Sequence, residues 1–201
     1  NVITFNGGIA DDSAASGVSS HIPAGQGAGL TVASGRVIFN GTNTYSGKTV
    51  ISGGVLQADD TIGINSSSNI EFAGGVLQSN GGISRTLSVG PDTFKRFVGT
   101  GPTGVQWKGS GGFAAAADPT VGPLTVTLSS NSQLTWGQGG FIANGNALIF
   151  GSDTAADQVI FTNDMNLNGG NGKVLVTANG NSLAAGNGTI SDSATFTGVL
   201  S

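Results

Sequence analysis

The phrase Gly53-Gly54-Val55-Leu56-Gln57 returns as Gly74-Gly75-Val76-Leu77-Gln78, an offset of 21 residues, and each copy follows a short apolar stretch. A period of that size constrains the fold more than any single strand, because a repeat of this length cannot bury its own apolar face and must stack on its neighbours. Two looser echoes accompany it. Trp107, with Gly109-Ser110-Gly111-Gly112-Phe113-Ala114 after it, is followed by Trp136 with Gly137-Gln138-Gly139-Gly140-Phe141-Ile142, at an offset of 28 or 29. An Ile-x-Phe theme recurs at Ile3-Thr4-Phe5, Val37-Ile38-Phe39, Ile70-Glu71-Phe72 and Val159-Ile160-Phe161.

Period-2 alternation in Arg85–Val89, Leu124–Leu128 and Lys173–Thr177 predicts strands of about five residues. Asn-Gly steps such as Asn40-Gly41 and Asn168-Gly169 predict turns along the whole length. These readings converge on an all-β chain, a β-solenoid of about eight to ten coils at roughly 20 to 25 residues each, in which each strand pairs with its equivalent in the next coil. One β-solenoid segment over residues 1–201, with Phe5, Phe39, Phe72 and Phe161 inside, is expected. A β-sandwich is the alternative, although it gives no reason for the repeated phrase.

Composition narrows the chemistry. The 36 glycines among 201 residues disfavour helix, and charged residues make up only 9%. Zero cysteines remove thiolate chemistry, and one histidine leaves little for metal binding or acid-base catalysis. Seven Lys and Arg against a net charge of −4 make no basic surface, so no nucleic-acid partner is expected. No apolar run reaches the length that spans a bilayer, so no membrane insertion is expected either.

The stretch Gly41-Thr42-Asn43-Thr44-Tyr45-Ser46-Gly47-Lys48-Thr49-Val50-Ile51-Ser52-Gly53-Gly54-Val55-Leu56-Gln57 closely resembles the autotransporter passenger-associated strand repeat. The strict likeness covers about a tenth of the chain and a looser one about two thirds. The resemblance implies a right-handed parallel β-helix displayed outside the cell, with a repeat that assists folding and export and with no catalytic residue. The residues expected to carry the structural motif are Gly41, Asn43, Thr44, Tyr45, Gly47, Thr49, Gly53, Gly54 and Leu56, then Gly74, Gly75 and Leu77 in the second copy. Physically, Asn43-Thr44-Tyr45 offers side-chain amides and hydroxyls to a turn, while Gly47 and Gly53-Gly54 suit positive φ at corners.

Other motifs read weakly. Gly41 to Lys48 has five residues between its glycines where a phosphate loop has four, and Gly99-Thr100-Gly101-Pro102-Thr103-Gly104 leads into Val105-Gln106-Trp107 rather than a helix. No cofactor is expected. His21 with Ser19, Ser20 and Asp11-Asp12 lacks a nucleophile turn. The pairs Asp11-Asp12 and Asp59-Asp60, with Asp153 and Asp157, lack a calcium-loop spacing and are expected in exposed turns, and His21, Asp59 and Asp60 are expected to be dispensable. Lys95, Arg96 and Arg85, flanked by Phe94 and Phe97, read as a loop that holds its cations around apolar anchors, with contact to a glycan or acidic polymer as the rival reading. Trp107 and Trp136 are candidates for stacking on a host or matrix glycan, against a structural role suggested by the repeat.

The expected function is a non-enzymatic extracellular stalk, adhesin passenger or fibre subunit of a bacterial surface. The alternatives are a polysaccharide-acting β-helix enzyme, which would gather acidic residues on one sheet, or a flat-surface binder such as an ice-binding protein, read from Thr42-x-Thr44 and Thr125-x-Thr127. Because apolar strands begin near Val2 and run to Leu200, neighbouring coils or subunits docked end to end are the expected partners.

Overall fold

The computed structural model describes residues 1–11, 27–79, 93–116, 122–169, 172–177, 183–185, 188–190 and 192–201. In chain order the strands are β1 (Val2–Phe5), β2 (Leu30–Val32), β3 (Arg36–Phe39), β4 (Thr49–Ile51), β5 (Val55–Ala58), β6 (Ile70–Phe72) and β7 (Val76–Gln78). Next come β8 (Thr93–Val98), β9 (Gly104–Trp107), β10 (Gly111–Ala114), β11 (Leu124–Leu128), β12 (Leu134–Thr135) and β13 (Ala147–Phe150). The last are β14 (Gln158–Phe161), β15 (Met165–Asn166), β16 (Val174–Thr177), β17 (Leu183–Ala185), β18 (Gly188–Ile190) and β19 (Ser193–Phe196).

The protein is all-β and its large sheets are parallel. One sheet runs β1-β3-β5-β7-β10-β13-β16 and the other β19-β14-β11-β8-β9-β6-β4-β2, so successive strands largely alternate between the two. Among the described residues the only antiparallel strand pair is the hairpin β17–β18, and the only helix-like turn is Ser129–Asn131. That turn is left-handed, with φ of +47°, +53° and +64° at three successive non-glycine residues.

Register explains the repeat. Val55 lies beside Val76, Leu56 beside Leu77 and Gln57 beside Gln78, so the 21-residue offset is the distance along the chain between neighbouring strands of one sheet. Alternation then places a column of Leu56, Leu77, Phe113 and Phe150 on one inner face. The other sheet answers with Val32, Ile51, Phe72 and Trp107 in one column, and with Phe94, Val126, Phe161 and Phe196 in another. The columns meet through rings: Phe113 lies 5.3 Å from Phe72 and 4.9 Å from Phe94, and Phe150 lies 5.8 Å from Phe161. These offset and edge-on contacts form the core between the sheets.

Phe39, Phe72 and Phe161 are fully buried as expected, whereas Phe5 is 40% exposed. It sits on the edge strand β1 and packs edge-on against Phe39 at 5.6 Å. The predicted strands Leu124–Leu128 and Lys173–Thr177 correspond to β11 and, one residue shorter, to β16; Arg85–Val89 lies outside the described residues. The Trp echo does not map onto equivalent positions. Gly111 and Phe113 lie in β10, while Gly139, Gly140 and Phe141 form a turn that folds onto the first copy. Trp107 N–H donates to the Gly140 carbonyl at 2.8 Å, and the Phe141 ring lies 5.1 Å from Trp107 and 5.9 Å from Trp136.

Candidate functional site

The motif residues gather where the loop before β4 crosses its neighbours. Asn43 is buried. Its Oδ1 accepts the Ile9 N–H at 2.6 Å, its Nδ2 donates to the Gly63 carbonyl at 2.7 Å, and its backbone N–H donates to Ile62 at 2.9 Å. One amide therefore satisfies backbone groups of the segments on both sides, as a buried polar group must be satisfied. Thr44 is exposed and contributes its backbone N–H, to Ile9 O at 2.8 Å, rather than its hydroxyl.

Tyr45 begins a buried hydroxyl relay. Its Oη is 2.7 Å from Thr49 Oγ1, which is 2.7 Å from Ser68 Oγ, which donates to the Gly47 carbonyl at 2.6 Å. A carbonyl only accepts, so the Ser68 proton points to Gly47, the Thr49 proton to Ser68 and the Tyr45 proton to Thr49. Burial pushes the Tyr45 phenol above its ordinary value, with the hydroxyl contacts working the other way.

The glycines act mainly by proximity. A methyl at Gly47 would lie 2.2 Å from the Gly27 carbonyl oxygen, one at Gly53 2.3 Å from that of Ala33, and one at Gly41 2.5 Å from that of Gly7. Gly54 alone in this stretch has the positive φ expected of a corner, +67°. In the second copy, Gly74 and Gly75 each face an atom at 2.5 Å, a Ser52 oxygen and the Ile51 side chain, and Leu56 and Leu77 stack in the core.

The acidic and basic residues differ from expectation. Asp60 is no solvated turn residue and Arg96 no snorkelling loop cation: Arg96 lies in β8, buried, with Nη2 2.5 Å and Nε 2.9 Å from Asp60 Oδ1. The same guanidinium donates to the Ser68 and Asn65 carbonyls at 2.6 and 3.1 Å. The expected dispensability of Asp60 is thereby overturned, since its removal would leave a buried cation unpaired. Asp59 and Asp157 are also buried, against the expectation of exposed turns. Asp11 Oδ2 accepts from the Ser46 hydroxyl at 2.6 Å and backbone at 2.8 Å, and chiefly that hydroxyl holds its carboxyl below the usual range. His21, Ser19, Ser20, Asp12 and Arg85 lie outside the described residues.

Lys48, the lysine of the incomplete phosphate loop, pairs with Glu71 at 2.7 Å, and Gly99–Gly104 joins β8 to β9. Trp107 and Trp136 are 5% and 1% exposed, so neither presents the free indole face that sugar stacking needs. Trp107 Nε1 donates to the Gly111 carbonyl at 3.0 Å. Sequence reading also missed Asn163, whose Oδ1 accepts the Leu128 N–H at 2.7 Å while Nδ2 donates to the Leu128 and Ser132 carbonyls at 2.6 and 2.8 Å. Its sole signal was the apolar strand Val159–Phe161 before it, which places Asn163 in a turn.

The side chains of Asn43 and Thr49 serve neighbouring segments of the same chain, Tyr45 reaches one through Thr49, and Thr44 contributes its backbone. Residues 34–58 match the passenger-associated transport repeat. The matched stretch spans β3, β4 and β5 and holds Asn43, Tyr45 and Thr49, while the 21-residue offset is the register of β5 on the next strand of the sheet, β7. No curated protein and no solved structure matches the chain. No helix among the described residues is long and apolar enough to cross a membrane.

Proposed function

We propose that the chain is a segment of a non-enzymatic extracellular passenger, a right-handed parallel β-helix whose role is to be long, stiff and surface-displayed. The observation that carries this reading is the internal use of the repeat's polar groups: Asn43 bonds to Ile9 and Gly63, and Tyr45 is linked through Thr49 to Ser68 of the next segment. The alternation of strands between sheets of seven and eight members supports a winding of about seven coils, fewer than the eight to ten expected from the repeat spacing, with a length of roughly 35 Å. Terminal strands β1 and β16 expose Val2, Ile3, Val174 and Leu175, which supports stacking of further coils at both ends, from a longer chain or another copy.

Display is tested on cells that express the parent protein. A protease added outside intact cells, or an antibody against this segment, is expected to reach it; inaccessibility until lysis would overturn the reading.

A further inference from the structure

We propose that the outer face of β8 around Phe97 is a binding platform for an acidic polysaccharide. This inference rests on local geometry and holds whether or not the chain is a passenger.

Among the described residues the exposed large apolar side chains are Val2, Ile3, Phe5, Val174, Leu175, Val199, Leu200 and Phe97. All but Phe97 belong to edge strands or to the last residues. Phe97 is 62% exposed on a strand hydrogen-bonded on both sides, by β9 and β11. Its neighbour Phe94 points inward and is buried, so alternation has placed this one ring in solvent.

The ring stands between two clefts. The cleft of about 130 Å³ is completed by the hydroxyl residues Thr127 and Ser130, and the cleft of about 260 Å³ by Thr61, Ser66 and Thr103. Both lie below the ~300–1,000 Å³ of sites that enclose a drug-sized molecule. One exposed ring is also far short of the ~800 Å² per partner that a stable protein interface covers. A linear polymer laid across the ridge fits better, with one sugar ring's apolar C–H face on Phe97 and its neighbours' hydroxyls over the clefts.

Charge gives the polymer its sign. Lys95 borders both clefts, is exposed, and has no ion pair among the described residues. Among the described residues, the one carboxylate lining them, Asp60, is held by Arg96. The site is thus locally cationic on a chain of net charge −4, and a uronate or sulfate on the sugar next to the stacked ring is its complement. The platform is rigid, since Arg96 ties β8 inward and the Ser129 hydroxyl in the left-handed turn accepts the Val98 N–H at 3.0 Å.

The test titrates the intact chain with oligogalacturonate, alginate and hyaluronan oligomers by calorimetry, with a neutral maltooligosaccharide for comparison. Saturable binding to at least one acidic oligomer is expected, with Phe97→Ala weakening it about tenfold. Lys95→Met should weaken it too, and remove most of its loss between about 0.05 M and about 0.5 M salt. Both side chains are exposed, so the variants should keep the wild-type circular dichroism and melting temperature. No binding to any of the three acidic oligomers, affinity unchanged by Phe97→Ala, or equal binding of the neutral oligomer without effect of Lys95→Met would each overturn the proposal. So would sedimentation showing that Phe97 drives self-association instead.

Discussion

Arg96 and Asp60 lie 36 residues apart in sequence yet form an ion pair at 2.5 Å, with side chains only 3% and 8% exposed. Breaking such a pair costs more than replacing it. Asp60→Ala is therefore expected to destabilise the chain by about 3 kcal/mol, whereas the double variant Arg96→Met, Asp60→Leu recovers much of the loss. Urea unfolding of the three proteins measures this; an Asp60→Ala curve overlying the wild type would refute the buried pair.

The direction of the hydroxyl relay sets an asymmetry. Tyr45→Phe removes one donor and leaves Thr49 still bonded to Ser68, a loss of about 1 kcal/mol. Thr49→Val strands the Tyr45 hydroxyl in a dry site and costs more, about 2 kcal/mol. Equal costs would mean that the protons do not run as described.

Tyr45 also predicts an alkaline effect. Because burial raises its phenol above the ordinary 10.0 in the folded chain, the unfolded chain ionises first. Stability should fall as pH rises past about 10, and Tyr45→Phe should lose less over that interval. Thermal melts at stepped pH compare the two.

Asp192 behaves in the acid range. Burial pushes its carboxyl up to about 6, with a Ser152 backbone hydrogen bond opposing the shift. Between its ordinary 3.8 and about 6 the unfolded chain is the more ionised, so the stability Asp192 contributes is present below 3.8 and lost as pH rises through 6. Asp192→Asn should remove that dependence, making the variant relatively more stable at pH ~7 than at pH ~4. The difference between the two proteins' unfolding midpoints isolates this group from the other carboxylates.

Glycine substitutions should divide by proximity. Gly53→Ala meets a carbonyl oxygen at 2.3 Å and is expected to lower the melting temperature by several degrees, about 1 to 3 kcal/mol. Gly101→Ala has open space around it and no positive φ, so it should be close to neutral. Similar losses at both positions would contradict the close stacking.

The sequence by itself determined the all-β class, the 21-residue stacking of β5 on β7, and three of four expected core phenylalanines, Phe39, Phe72 and Phe161. Those rest on local rules, period-2 alternation and a repeat whose 21-residue offset must become a register if identical phrases are to lie side by side. It also located the motif of Asn43, Tyr45 and Gly47, through its resemblance to a known passenger repeat. Only the tertiary structure decided which polar residues are buried. Asp60 and Arg96 are separated by strands whose lateral order sequence spacing does not encode, so their pairing was invisible until the sheets were assembled. The aromatic residues show the same division. Trp107, Trp136 and Phe97 are alike in being flat and apolar, but only Phe97 faces solvent, since exposure depends on which strand face and which neighbouring turn each side chain meets.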